Sequence, residues 1–145
     1  MAKPPPAPEH VSLDLESLEG TGLRFTGHSG PLTVPFDSGP DAQAVNPVRM
    51  LLLALGACTG MDVISILRKQ RQAVTGYRIG LRGERWAEHP RTFHTIEVVH
   101  RVQGHDLSPA AVEEAVRLSA TRYCTVHAQI ALTAAITHRF EILPA

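Results

Sequence analysis

Leu51–Leu67 reads LLLALGACTGMDVISIL. It is apolar almost throughout, yet a cysteine (Cys58) and an acid (Asp62) sit inside it. Three readings are open: a membrane span, a core helix that contains a cysteine, or a reactive thiol mounted in a core. Met50–Leu67 gives 18 residues with one charge, the lower edge of a transmembrane helix. Asp62 near its middle costs about 2.5–3.5 kcal/mol on insertion scales. Gly56, Thr59, Gly60 and Ser65 dilute it further, and neither a second span nor an aromatic belt accompanies it. The stretch therefore reads as a buried helix of a soluble domain.

Asn46-Pro47 opens that helix, with Asn as N-cap and Pro at the first helical position. The pattern runs to about Gln72. Its first half is apolar nearly all round, its second half is amphipathic, and Gly56 and Gly60 are the points at which it would break. Working outward, His10–Ser17, Leu23–Ser29 and Pro31–Asp37 alternate as half-buried strands, with a turn at Gly20–Gly22 and a loop at Asp37–Pro47. Beyond the helix, Tyr77–Ala87 and Thr92–Gly104 form a predicted hairpin around the turn EHPR. His94, Ile96, Val98, His100 and Val102 share one face of its second strand. Ser108-Pro109 caps a second helix whose core face carries Val112, Ala115, Val116, Ser119 and Tyr123. Cys124 falls at or just past its end. A short helix at TVHAQIALTAA and a closing strand at ITHRFEIL complete the chain. The class is α+β, with antiparallel sheets wrapped on a buried helix pair, in a single domain over residues 1–145.

Composition narrows the function. The 145 residues are 43% hydrophobic and 19% charged, the balance of a globular protein with a sizeable core. Basic and acidic residues number 14 each, so no charge excess marks a nucleic-acid or anionic-membrane surface. Arg68, Lys69 and Arg71 read as a solvated helix end. The opening MAKPPPAPEH has no apolar signal core and reads as a flexible lead-in over residues 1–10. Two cysteines 66 positions apart fit neither a zinc spacing nor a secreted disulfide framework, so a cytoplasmic location is expected.

The chemistry then rests on few residues. Cys58 is by default a small hydrophobe, since free cysteine packs as one. Asp62 is four residues on and shares its helix face, where a carboxylate needs a partner. Beside a thiol it raises the thiol pKa unless a cation intervenes. Cys124 sits on another core helix; if the two sulfurs meet, a sulfenic acid on one condenses with the other to a disulfide. Of eight histidines, most read as surface or hydrogen-bonded strand residues, and CTVH is too weak to call a metal site. No phosphate-binding, dinucleotide, zinc-protease or serine-hydrolase motif is present.

NPVRMLLLALGACTGMDVISILRKQRQ, GERWAEHPRTFHTI, VQGHDLSPAAVEEAVRLSATRYCTV and ITHRFEIL together resemble the OsmC/Ohr family, nearest its YhfA-like branch. The resemblance covers about Leu13–Leu143, and its paired GACTGMDV and RYCTV motifs are fairly specific. It implies an intertwined homodimer whose sheets wrap two central helices, with active sites at the dimer interface. It also implies a thiol-dependent reductase of organic hydroperoxides. Cys58 matches the peroxidatic cysteine and Cys124 the resolving one. Electrons come from an external dithiol such as a lipoylated protein, with no metal or other cofactor.

The chain departs from that pattern at Val48, where the reductases carry a glutamate ten residues before the first cysteine; Arg49 follows. They also use an arginine from the N-terminal sheet, for which Arg24 is the nearest candidate. Arg49 lies nine residues from Cys58, about 13.5 Å and 2.5 turns on a straight helix, so it faces away from its own thiol. Arg49, Asp62, Glu84 and Arg91 are the supporting candidates, with Arg85 beside them. Three functions stay open: a hydroperoxide reductase in oxidative-stress defence, an OsmC-like redox-sensing or ligand-binding protein without efficient peroxidase activity, and an inert fold with two core cysteines.

Overall fold

Turn chemistry and strand alternation shape the first fifty residues. A computed structural model describes all 145 residues, in two compact units, Met1–Met50 and Leu51–Ala145. The first unit is an antiparallel meander of β1 (Ser12–Leu15), β2 (Phe25–Ser29) and β3 (Leu32–Phe36), in that order across the sheet. Gly30, at φ 56°, supplies the left-handed conformation of the tight β2–β3 turn. Asp37, almost fully buried, gathers the following loop. Its carboxylate accepts from the Thr21 hydroxyl at 2.6 Å and from the Ser38 and Gln43 amides at 2.8 and 3.1 Å. These hydrogen bonds, that of Thr21 first, hold its pKa below the usual carboxylate range. Leu13, Leu15, Phe25, Leu32 and Val34 stay exposed on this small sheet.

Helix α1 (Pro47–Lys69) begins where its cap predicts: the Asn46 side-chain oxygen accepts from the Arg49 amide at 2.8 Å. It runs unbroken through Gly56 and Gly60. Those two glycines, one turn apart, serve packing instead. A Cβ on them would lie 2.7 Å from Leu81 Cδ1 and 2.5 Å from Ile79 Cδ1. The helix backbone thus lies close against β4 (Ala73–Arg85).

The second unit is a sheet in the order β4–β5–β6, with β5 at Phe93–His105 and β6 at Ala135–Pro144. Strands β4 and β5 form the long hairpin that alternation predicts. Strand β6 pairs with β5 in parallel, where antiparallel sheets were expected. A parallel return needs a long crossover. It is built from α2 (Pro109–Leu118), a π-helical turn (Ser119–Tyr123) and α3 (Thr125–Ile130). Ser108 caps α2 by accepting from the Ala111 amide at 3.2 Å. Tyr123, expected in the core, is half exposed, because the π turn rotates it out of the α2 register.

The core divides into two apolar clusters. One holds Leu55, Phe93, Ile96, Val98, Cys124 and Ile130, with Cys58 against it; the other holds Val63, Leu67, Val102, Val112, Ala115 and Val116. His100 sits on β5 between Val98 and Val102, at the divide, fully buried. A hydrogen-bonded row crosses the sheet there. Tyr77 Oη lies 2.5 Å from His100 Nδ1, His100 Nε2 3.0 Å from His138 Nδ1, and His138 Nε2 3.1 Å from His127 Nδ1. The three imidazoles stack in sequence, with centroids 5.3 and 5.1 Å apart. Burial first, then the charge of the next ring, pushes His100 and His138 down to about 4; burial also lowers His127.

Because the folded rings refuse protons that the unfolded chain accepts, stability is full above the ordinary value of 6.5 and is lost as pH falls toward about 4. For His100 alone that displacement is worth on the order of 3 kcal/mol. Urea midpoints are expected to fall steadily from pH 7 to pH 4.5, and less steeply in His100→Gln. Parallel pH curves for the two proteins would contradict this.

Candidate functional site

Two elements meet at the thiols. On α1, Cys58, Thr59 and Asp62 lie within just over one turn, so their side chains reach the same neighbour. That neighbour is the π turn. Its five-residue backbone bond, Cys124 N–H to Ser119 O at 2.9 Å, replaces the usual four-residue step. In an α-helix, residues 119 and 124 would point about 140° apart. The wider turn instead lets Ser119 and Cys124 both address α1.

Ser119 is fully buried and donates its hydroxyl to Asp62 Oδ2 at 2.9 Å. Having given its one hydrogen there, it accepts from the Thr59 hydroxyl, also at 2.9 Å. Thr59 is fully buried too. This short network answers the question that Asp62 raises: its partner within this unit is a hydroxyl, not an arginine. It also fixes the π turn on the helix and delivers Cys124.

Cys58 Sγ, Cys124 Sγ and an Asp62 carboxylate oxygen all lie within 4.8 Å of one another. Both cysteines are free. Cys58 is half-buried, whereas Cys124 is 3% exposed. Cys124 also caps α3, its sulfur accepting from the His127 amide at 3.3 Å. Burial pushes the Cys124 thiol up to about 12; a hydrogen bond to Cys58 adds to this, the His127 amide opposes it, and the Cys58 and Asp62 charges raise it further. The pair is therefore asymmetric: a reachable sulfur beside a sealed, protonated one.

These three donors are also the group that could hold a metal ion. They fall one short of the closed four-ligand set of a structural zinc site. Disulfide chemistry needs only the two sulfurs and a swing that brings them to about 2.05 Å.

Of the supporting candidates in the second unit, the structure brings Asp62 to the sulfurs. Glu84 pairs with Arg82 on β4 at 2.7 Å. Arg91, in the β4–β5 turn, donates to the Ala87 carbonyl at 3.2 Å, and Arg85 ends β4. Arg49 is exposed in the first turn of α1, and Arg24 pairs with Glu16 at 2.9 Å in the first unit. Sequence reasoning missed Ser119 and Thr59 as the anchor and the histidine row as a unit. Two signals were present: a serine on an otherwise apolar helix face, and a histidine between valines on a core-facing strand.

Comparison with known proteins agrees with this architecture. Residues 39–139 match the family of OsmC-like proteins. Protein YhfA of Escherichia coli K12 is 40% identical over 125 residues, covering 86% of this chain and 93% of its own. The chain belongs to the OsmC family. A hypothetical protein from Aquifex aeolicus has a similar crystal structure, at TM-score 0.86 and 29% identity, covering 96% of this chain and 98% of its own. The organic hydroperoxide resistance protein OhrB of Bacillus subtilis shares the fold, at TM-score 0.62 and 16% identity over 91% of this chain and 98% of its own.

The asymmetry has a direct readout. Iodoacetamide added to the reduced, folded protein is expected to modify Cys58 first, with Cys124 slower by at least ~10-fold. Equal rates at the two sulfurs would contradict the assignment.

Proposed function

We propose that the protein is a thiol-dependent peroxidase that reduces organic hydroperoxides. The observation that carries this reading is the close pair of free sulfurs, one reachable and one sealed. In the first step the Cys58 thiolate attacks the distal peroxide oxygen. The O–O bond breaks, the alcohol leaves with a proton, and Cys58 holds a sulfenic acid. The Cys124 sulfur then attacks Cys58; the S–O bond breaks and water departs with the Cys124 proton, leaving a Cys58–Cys124 disulfide. An external dithiol restores both thiols and is itself oxidised. No metal or other cofactor enters this cycle.

The reductant suited to such a pair of sulfurs is a small or protein-bound dithiol, lipoylated proteins among them, and the setting is the cytoplasm in oxidative-stress defence. The exposed Leu13, Leu15, Phe25, Leu32 and Val34 of the N-terminal sheet support a homodimer, since a face of that kind calls for a cover.

One observation favours a second reading. Val48 stands where a glutamate is expected, and the charge facing the two sulfurs is the Asp62 carboxylate, which opposes a thiolate. On that reading the pair is a slow redox sensor or ligand-binding site whose disulfide is the signal.

Peroxide consumption separates the two. With cumene hydroperoxide and excess dithiol, the protein is expected to turn over repeatedly, Cys58→Ser to fall to background, and Cys124→Ser to stall after sulfenic-acid formation. Turnover equal in the wild type and Cys58→Ser would end the peroxidase reading. A single stoichiometric oxidation without turnover would establish the sensor.

A further inference from the structure

The scheme above uses the two sulfurs and leaves Asp62 without a task. Yet three groups that are anionic when ionised converge from α1 and the π turn, their ligand atoms within 4.8 Å of one another. As anions they repel. Around a dication they are complementary, because a bound metal ion reverses the local electrostatics and holds a coordinating thiol as its thiolate. The spacing suits an ion. With Zn–S bonds of about 2.3 Å and a Zn–O bond of about 2.1 Å, tetrahedral angles put the sulfurs about 3.8 Å apart and each about 3.6 Å from the oxygen. Closing from 4.8 Å to that spacing takes about 1 Å, whereas a disulfide draws the same sulfurs to about 2.05 Å.

The groups behind the three donors are those that a metal site needs. Ser119 orients the Asp62 carboxylate, its hydroxyl donating to Oδ2 at 2.9 Å, and Thr59 holds Ser119 in turn at 2.9 Å. Cys124 Sγ accepts from the His127 amide at 3.3 Å, a donor that equally suits a thiolate. Outer hydrogen bonds of this kind orient ligands and tune affinity. The buried imidazoles of His100 and His138 do not compete, since both nitrogens of each are hydrogen-bonded within their row. Half-buried Cys58 leaves a way in. The donors also select the metal: thiolates favour zinc or cadmium over calcium and magnesium, which demand oxygen ligands.

We propose that Cys58, Cys124 and Asp62 form a zinc-binding site of the reduced protein, with water completing the tetrahedron. The inference goes beyond the peroxidase reading: it needs the two sulfurs reduced and together, and it does not need peroxide. Zn²⁺ and the two thiols give a dithiolate complex and two released protons. The ion and the disulfide exclude each other, because both engage the same two sulfurs. Zinc therefore guards the pair against oxidation, and a two-electron oxidant that joins the sulfurs expels the ion.

The test uses the full chain, reduced and freed of reductant, titrated with zinc alone or cadmium alone. One ion per chain is expected, with thiolate-to-cadmium charge-transfer absorption in the ultraviolet. Cys58→Ser and Cys124→Ser are expected to abolish both. Loss of an outer-shell partner already weakens metal binding 10- to 100-fold, so Asp62→Asn, which removes a ligand at constant size, is expected to weaken it by at least ~10-fold. Diamide, which takes two electrons from the sulfurs and two protons from solvent, is expected to form the disulfide at a rate that falls with the fraction of zinc-loaded protein, and a chelator to restore it. No bound ion, binding that survives loss of either cysteine, full affinity in Asp62→Asn, or an unprotected zinc-loaded pair would overturn the site. If Asp62→Asn also fails to cross-link with diamide, Asp62→Glu decides: affinity regained with the carboxylate upholds the ligand, and none regained removes it. A protein that binds zinc here but does not turn over peroxide keeps the site and loses the peroxidase reading; one that turns over peroxide and binds no zinc does the reverse.

Discussion

The Ser119 hydroxyl, held between Thr59 and Asp62, is the contact on which the site depends. A lone carboxylate on the buried face of an apolar helix is unfavourable by several kcal/mol unless it finds a partner. Here the partner is a side chain of the π turn. The same contact that satisfies Asp62 seats the turn, and the turn carries Cys124 to Cys58. The local geometry of the chain, the satisfaction of a buried charge and the meeting of two sulfurs 66 residues apart are thus one arrangement.

That arrangement also divides labour between the sulfurs. The α1 face leaves Cys58 half-buried, while the crossover buries Cys124 as the cap of α3. Burial outweighs the single amide donated by His127, so Cys124 remains a thiol. A half-buried cysteine and a sealed one thus follow from packing. The acid beside them, Asp62, opposes negative charge on either sulfur.

Much of this was legible in the sequence because it is local. The Asn46-Pro47 and Ser108-Pro109 caps mark their helices, and alternation over Tyr77–Gly104 marks the hairpin. The sharing of a face by Cys58 and Asp62 follows from their spacing. The family likeness, carried by the GACTGMDV and RYCTV motifs, joined Cys58 to Cys124. What escaped is nonlocal or depends on one extra residue per turn. Nothing in LSATRYC announces a π turn, and an α-helical reading put Tyr123 in the core. The parallel seat of β6 depends on the crossover, which no periodicity records. The histidine row joins β4, β5, β6 and α3, so its members look like unrelated strand and helix residues until the sheet aligns them.

Intact-mass analysis of the reduced protein after one equivalent of cumene hydroperoxide, with peptide mapping, tests the central claim most directly. The account predicts loss of two hydrogens and a single Cys58–Cys124 cross-link, reversed by a dithiol. Oxygen retained on Cys58 with Cys124 still free, or two unmodified thiols, would contradict it.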